Sequence, residues 1–225
     1  MTQAKRNYDA VLFDLDGTLL DTSEGIVISV KETIEHFDLK RLPDEEILKF
    51  IGPPIEWSFE GRCGVAKDKL LEVCLYFRDR YSNHNLLLAK PYDGIYDFLD
   101  YLRDNDIPIG IATYKKQDYA EKLLKATGFA DYTDHIFGSD YEGKLLKKDI
   151  IKLCIDSLGA GDVSRVLMVG DSNHDANGAK LAGAPFAGVS YGFGFGKFGG
   201  ENIDEFEHVF YADHPMDMTV LFEEE

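Results

Sequence analysis

Two aspartates, Asp14 and Asp16, follow directly on a hydrophobic run in the stretch VLFDLDGTLLDT. A strand running on into the core could not bury both carboxylates without a heavy desolvation cost, so it must end where they begin. The two acids then sit at the carboxyl end of a strand, and their spacing of two puts both on one side of extended backbone. A third acid, Asp171, closes a second apolar run, RVLMVGD, and opens GDSNHD. A ligand set of carboxylates alone, Asp14, Asp16 and Asp171, suits a hard divalent cation such as magnesium and argues against zinc.

Elements must exist to bring these groups together. Tyr8–Asp14, Ile107–Thr113, Asp134–Ser139, Arg165–Asp171 and Phe186–Ser190 read as strands, with His208–Ala212 a possible sixth. Helical stripes lie between them: Ile95, Phe98, Leu99 and Leu102 recur at helical spacing, as do Ile151, Cys154, Ile155 and Leu158. Alternation of this kind predicts an α/β fold, a Rossmann-like core whose mostly parallel sheet is covered on both faces. Ligands of such sheets bind beyond the carboxyl ends of the strands, where Asp14/Asp16, Thr113, Ser139/Asp140 and Asp171 would converge.

One interval breaks the alternation. From Asp21 to about Lys90 no strand is convincing, but Ile26, Val30, Ile34 and Phe37 share one helix face and Leu70, Cys74, Phe77 and Tyr81 another. LPDEEI starts a helix between them, with Pro43 early and acids in the first turn, while IGPPIEW interrupts the pattern. We expect an inserted all-helical cap at 21–87, with residues 1–20 and 88–225 forming the core.

With these features assembled, the chain resembles the haloacid dehalogenase superfamily, close to its phosphoglycolate phosphatase-like branch with a helical cap. DLDGT matches that family's DxDxT signature, Thr113 its strand-end hydroxyl, and GDSNHD its final GDxxxD signature; GDSNHDANGAKLAGAPFAGVSYGFG extends the likeness. The resemblance implies a magnesium-dependent phosphatase acting on a small phosphorylated metabolite, of the phosphoglycolate type. Asp14 would be the nucleophile that forms an aspartyl-phosphate, and Asp16 would protonate the leaving group and then deprotonate water. Magnesium would be held by Asp14, Asp16 and Asp171, with Asp16 adding its main-chain carbonyl and Asp175 orienting the set. Gly17, Thr18, Thr113 and Tyr114 would bind the substrate's phosphate end, Thr113 at the following helix N-terminus. A lysine is implied as well; the usual KPxP form is absent, and among Lys144, Lys147 and Lys148 the spacing to Ile150 and Ile151 favours Lys147 for catalysis and substrate binding.

Each signal also has a blander reading. DGT alone is a turn sequence, and GFGKFG at Gly194–Gly199 satisfies GxGxxG yet opens no amphipathic helix, so it reads as a loop beside the site and not as a dinucleotide site. His174 reads as a surface or supporting residue, and Trp57 beside IGPPIE as a residue of the entrance. A β-phosphoglucomutase-like phosphotransferase comes second, because DTSEGIV lacks the histidine expected soon after DT. A 5'-nucleotidase or pyrophosphatase fits the same machinery, and a non-catalytic binding protein fits least, since none of Asp14, Asp16 and Asp171 is missing.

Composition bounds the partners. The 225 residues, 44% hydrophobic, are enough for a core plus a satellite domain. Forty-one acidic against twenty-four basic residues give a net charge of -17, which disfavours nucleic acid and anionic lipid, so an anionic substrate needs local positive charge. Cys63, Cys74 and Cys154 have no CxxC spacing and read as core thiols. No long apolar segment stands at the start or later, which leads us to expect a cytoplasmic protein, monomeric or homodimeric.

Overall fold

The computed structural model describes residues 7–196 and 199–223. Its central sheet has six strands, β1 (Ala10–Phe13), β4 (Ile109–Lys116), β5 (Ile136–Ser139), β6 (Val166–Gly170), β7 (Phe186–Val189) and β8 (Phe210–Ala212), in the order β5-β4-β1-β6-β7-β8. Every pairing is parallel. The apolar runs explain the order: β1 and β6 are buried along their whole length, as strands covered on both faces must be.

Helices α5 (Ile95–Asp104), α6 (Gln117–Thr127), α7 (Lys147–Leu158) and α8 (Asn173–Ala182) connect these strands. On α5 the stripe Ile95, Phe98, Leu99 and Leu102 is fully buried. On α7 the buried set is Lys147, Ile150, Ile151, Cys154 and Ile155, one helical face that carries a lysine at its head. Two apolar clusters result, one on each side of the sheet: Val11 and Phe13 of β1 belong to the first, Leu12 to the second with Ile150, Ile151 and Cys154, as the period of two in a strand requires.

The insert after β1 is helical. A two-residue strand, β2 (Leu20–Asp21), pairs antiparallel with β3 (Lys90–Pro91) and closes the neck. Between them lie α1 (Ser23–His36), α2 (Asp44–Leu48), α3 (Ile55–Cys63), α4 (Lys67–Arg80) and a π-helical turn at Tyr81–Asn85. Ile26, Val30 and Ile34 of α1 face Val73, Cys74 and Phe77 of α4 within the same cluster that reaches β1. The short pair β2–β3 escapes a periodicity reading, because two residues per strand cannot display a period.

One strand is longer than expected. β4 continues past Thr113 to Lys116, where Lys116 pairs with Ser139 of β5 after a register shift beyond Ala112. The helix after it therefore starts at Gln117, and Thr113 lies within the strand instead of at a helix N-terminus. All three cysteines are free and buried. Among the described residues no helix is long and apolar enough to cross a membrane.

Candidate active site

The end of β1, the end of β6 and the first turn of α8 bring Asp14, Asp171 and Asp175 together. One carboxylate oxygen from each lies within 4.8 Å of the others, and all three side chains are buried. Local chemistry fixes each acid. Asp14 N–H donates to the Val169 carbonyl of β6 at 2.9 Å. Asp171 Oδ2 accepts from the backbone N–H groups of Phe193 at 2.6 Å and Gly194 at 3.1 Å, so the glycine-rich loop after β7 holds this carboxylate. Asp175 Oδ2 accepts from Ser172 Oγ at 2.7 Å and Ser172 N at 3.1 Å, a helix-start arrangement that turns its other oxygen inward.

Glycines give the acids room. Gly17, at φ +88, would with any Cβ put an atom 2.2 Å from Asp171 Oδ2, and a Cβ on Gly170 would lie 2.4 Å from that of Asp175.

Lys147 lies inside this cluster. Its Nζ is 2.5 Å from Asp14 Oδ1 and 2.6 Å from Asp175 Oδ1, while Asp175 Oδ1, buried, makes no hydrogen bond of good geometry. Burial pushes the Asp14 carboxyl up to about 7, with Lys147 opposing and Asp175 and Asp16 adding to the rise. Burial, then Asp175 and Asp14, also raise Asp171 well above the usual carboxylate range, against the two loop N–H groups. Burial alone would lower Lys147, but Asp14 and Asp175 outweigh it and hold the ammonium charged. Three buried acids against one lysine leave excess negative charge, and oxygen-only donors at this spacing fit a hard divalent cation.

Asp16 points elsewhere. Its Oδ1 accepts from Thr22 Oγ1 at 2.7 Å and lies 3.0 Å from Lys115 Nζ, so its carboxylate is not among the three that converge. Lys115 in turn donates to Tyr81 OH of the helical insert at 2.8 Å. The sequence signals this Lys115 contact only by position: Lys115 stands two residues after Thr113 and shares that side of an extended strand.

Thr113 is buried, and its Oγ1 accepts from Lys115 N at 3.2 Å. Tyr114 OH accepts from Lys147 N at 2.9 Å, which ties β4 to the head of α7. Thr18 Oγ1 is buried without a hydrogen-bond partner among the described residues. Lys144 pairs with Glu142 at the surface and Lys148 with Asp149, both away from the acids. His174 sits between Tyr114 and Trp57, with ring centroids 5.6 and 6.4 Å away, and burial lowers its pKa. Within GFGKFG, Lys197 and Phe198 lie outside the described residues.

A cavity of about 340 Å³ lies between the insert and the core and reaches Asp16. Ile26, Trp57, Phe77 and Tyr81 line it from the insert, and Tyr114, Lys115 and Lys116 from β4. A molecule in it would lie between the helical insert and β4 and would meet Asp16, while Asp171 lines a smaller neighbouring cavity that Asp16 also borders.

Known proteins resemble this chain over most of its length. The family description haloacid dehalogenase-like hydrolase fits residues 11–189. A pyrophosphatase PpaX of Bacillus velezensis is 35% identical over 184 residues, covering 81% of this chain and 83% of its own. A 5'-nucleotidase of Pseudomonas aeruginosa is 32% identical over 195 residues, 86% of this chain and 88% of its own. A solved haloacid dehalogenase-like hydrolase of Streptococcus pneumoniae superposes with a TM-score of 0.87 at 26% identity, over 96% of this chain and 99% of that one. The overall fold is thus shared with a solved relative, and the chain belongs to the haloacid dehalogenase-like hydrolases.

Proposed function

We propose that this hydrolase is a magnesium-dependent phosphatase of small phosphorylated metabolites, working through an aspartyl-phosphate on Asp14. The observation that carries the reading is the buried set Asp14, Asp171 and Asp175 within 4.8 Å, with Lys147 against two of them. Asp14, Asp171 and Asp175 would hold magnesium with the main-chain carbonyl of Asp16. When bound, the ion supplies positive charge that lets an anionic phosphate approach anionic Asp14.

The protein's own groups do the rest. An Asp14 oxygen attacks phosphorus in line as the bond to the leaving oxygen breaks, and Asp16 gives that oxygen its proton. Asp16 carboxylate then takes a proton from water, whose oxygen attacks phosphorus and releases Asp14 and inorganic phosphate. Thr22 and Lys115 hold Asp16 Oδ1, which leaves Oδ2 for the proton transfers. Lys147 balances charge on Asp14 as it becomes esterified. Gly17, Thr18, Thr113 and Tyr114 shape the phosphate end, and residues 21–87 act as a cap domain over a core of 1–20 and 88–225, excluding water and bulky chains.

Relatives named as pyrophosphatase and 5'-nucleotidase widen the substrate set beyond a phosphoglycolate-like ester. The test is phosphate release from phosphoglycolate, sugar phosphates, 5'-nucleotides, pyrophosphate and an aryl phosphate, with and without magnesium. Release that needs both magnesium and Asp14 is expected. Release that survives Asp14→Asn, or transfer to a second sugar hydroxyl without free phosphate, would overturn it.

A further inference from the structure

The chain after β7 does more than hold the Asp171 carboxylate through the N–H groups of Phe193 and Gly194. Its backbone lies on the turn between β6 and α8. Phe195 N donates to the Asp171 carbonyl at 2.7 Å, and a Cβ on Gly194 would stand 2.6 Å from that carbonyl oxygen and 2.8 Å from Ser172 Cα. The chain then returns on itself, with Glu201 N donating to the Gly194 carbonyl at 3.2 Å. From there the Glu201 side chain accepts from the backbone N–H of Asn173, the first residue of α8, at 2.6 Å.

That N–H belongs to the first turn of a helix, where no carbonyl a turn back can receive it. Ser172 and Asp175 bond one another across the same helix start, and Glu201 supplies the acceptor for Asn173. The position is a costly one for a carboxylate: burial raises the Glu201 carboxyl above its ordinary value and Asp175 adds to the rise, with the Asn173 N–H opposing. Lys49 and Arg62 of the insert line the smaller cavity along with Glu201, but each lies 2.6 Å from Glu46. Glu201 is also outside the three acids whose oxygens converge. Its contact is with the turn that carries two of them.

We propose that Glu201 is a positioning residue of the acid cluster. Its hydrogen bond to Asn173 fastens the loop that holds Asp171 to the helix start that carries Asp175, and so fixes the spacing of these two acids around a divalent cation. This rests on the reading that Asp14, Asp171 and Asp175 hold magnesium. Glu201 acts through the backbone at a distance and touches neither ion nor substrate.

Calorimetric titration with magnesium chloride alone, without substrate, tests the assignment. Glu201→Ala should raise the magnesium dissociation constant by about tenfold, the usual loss when a group supporting metal ligands is removed. Glu201→Gln keeps an oxygen acceptor for the same N–H and should stay within about twofold of the wild type. Asn173→Pro removes the donor instead. Proline suits the first residue of a helix, and Ser172, at φ -139 and ψ 166, already has the extended backbone that proline asks of its predecessor. This variant should weaken magnesium as much as Glu201→Ala, and the double variant no further, since both changes break one contact. A Glu201→Ala protein with the wild-type dissociation constant, whatever its unfolding temperature in chelator, overturns the proposal and leaves Glu201 a purely structural residue. Glu201→Gln as weak as Glu201→Ala also overturns it, because the effect then belongs to charge. If Glu201→Ala does not fold, Asn173→Pro and Glu201→Gln decide: weaker binding by the first alone supports the proposal, and equal binding by both overturns it. Failure of the underlying reading shows separately, as a wild type that binds no magnesium.

Discussion

Replacing Lys147 by methionine removes the positive charge nearest the acid cluster while keeping an apolar stem of similar length. Lys147 is 4% exposed at its side chain and faces Asp14 at 2.5 Å and Asp175 at 2.6 Å. Breaking a buried ion pair on one side costs about 3–5 kcal/mol, because the remaining charge is stranded. At this chain length each kcal/mol moves Tm by about 2–4 °C, so Lys147→Met should lose about 6–20 °C in magnesium-free buffer. The stranded acids make magnesium worth more, so the rise in Tm on adding the ion should exceed that of the wild type. Phosphate release should fall by at least about a hundredfold, as when a donor to developing charge is removed. Differential scanning fluorimetry across a magnesium titration, paired with phosphate release, reads both effects. A variant with wild-type Tm and an unchanged magnesium response would refute the assignment of Lys147 as the counter-charge of the cluster.

In magnesium-free protein Asp14 titrates at about 7, above its ordinary 3.8, so the folded state holds a proton that the unfolded chain has released. Its contribution is complete below ~4 and is lost as pH rises through about 7, so Tm should fall across that window and Asp14→Asn should flatten the fall. Gly17→Ala forces a Cβ to 2.2 Å from Asp171 Oδ2 at φ +88; we expect a loss of about 1–3 kcal/mol in chemical denaturation, with activity falling alongside. Burial raises all three thiols, Cys74 and Cys154 to about 12, so iodoacetamide at neutral pH should leave the native protein unmodified and alkylate all three cysteines in urea, as mass spectrometry would count.

Much of this architecture is written in local patterns. The six strands follow from apolar runs, each observed within a residue or two of its expected span except β4, and the stripes on α5 and α7 follow from helical spacing. Asp14 and Asp171 are legible because each ends a run that would otherwise stay buried. β4 hides its length because TYKK looks polar, and the pairing of Lys116 with Ser139 of the neighbouring β5 is visible only in three dimensions. The partner of Asp16 hides for a related reason, since the contact with Lys115 joins the turn after β1 to β4, far apart in sequence. Lys147 is distinguished from Lys144 and Lys148 by phase alone: it heads the buried face that Ile150, Ile151 and Cys154 continue. The hold of Phe193 and Gly194 on Asp171 is a backbone contact, which no side-chain pattern announces.

The most direct test of the central claim is to look for the covalent intermediate. A magnesium-containing reaction with a turned-over phosphate ester, quenched in acid within milliseconds and digested, would be searched by mass spectrometry for the phosphoryl group. It is predicted on the peptide that carries Asp14, absent without magnesium and absent in Asp14→Asn. Steady phosphate release with no phosphorylated Asp14 at any quench time, and with the variant still active, would contradict the account.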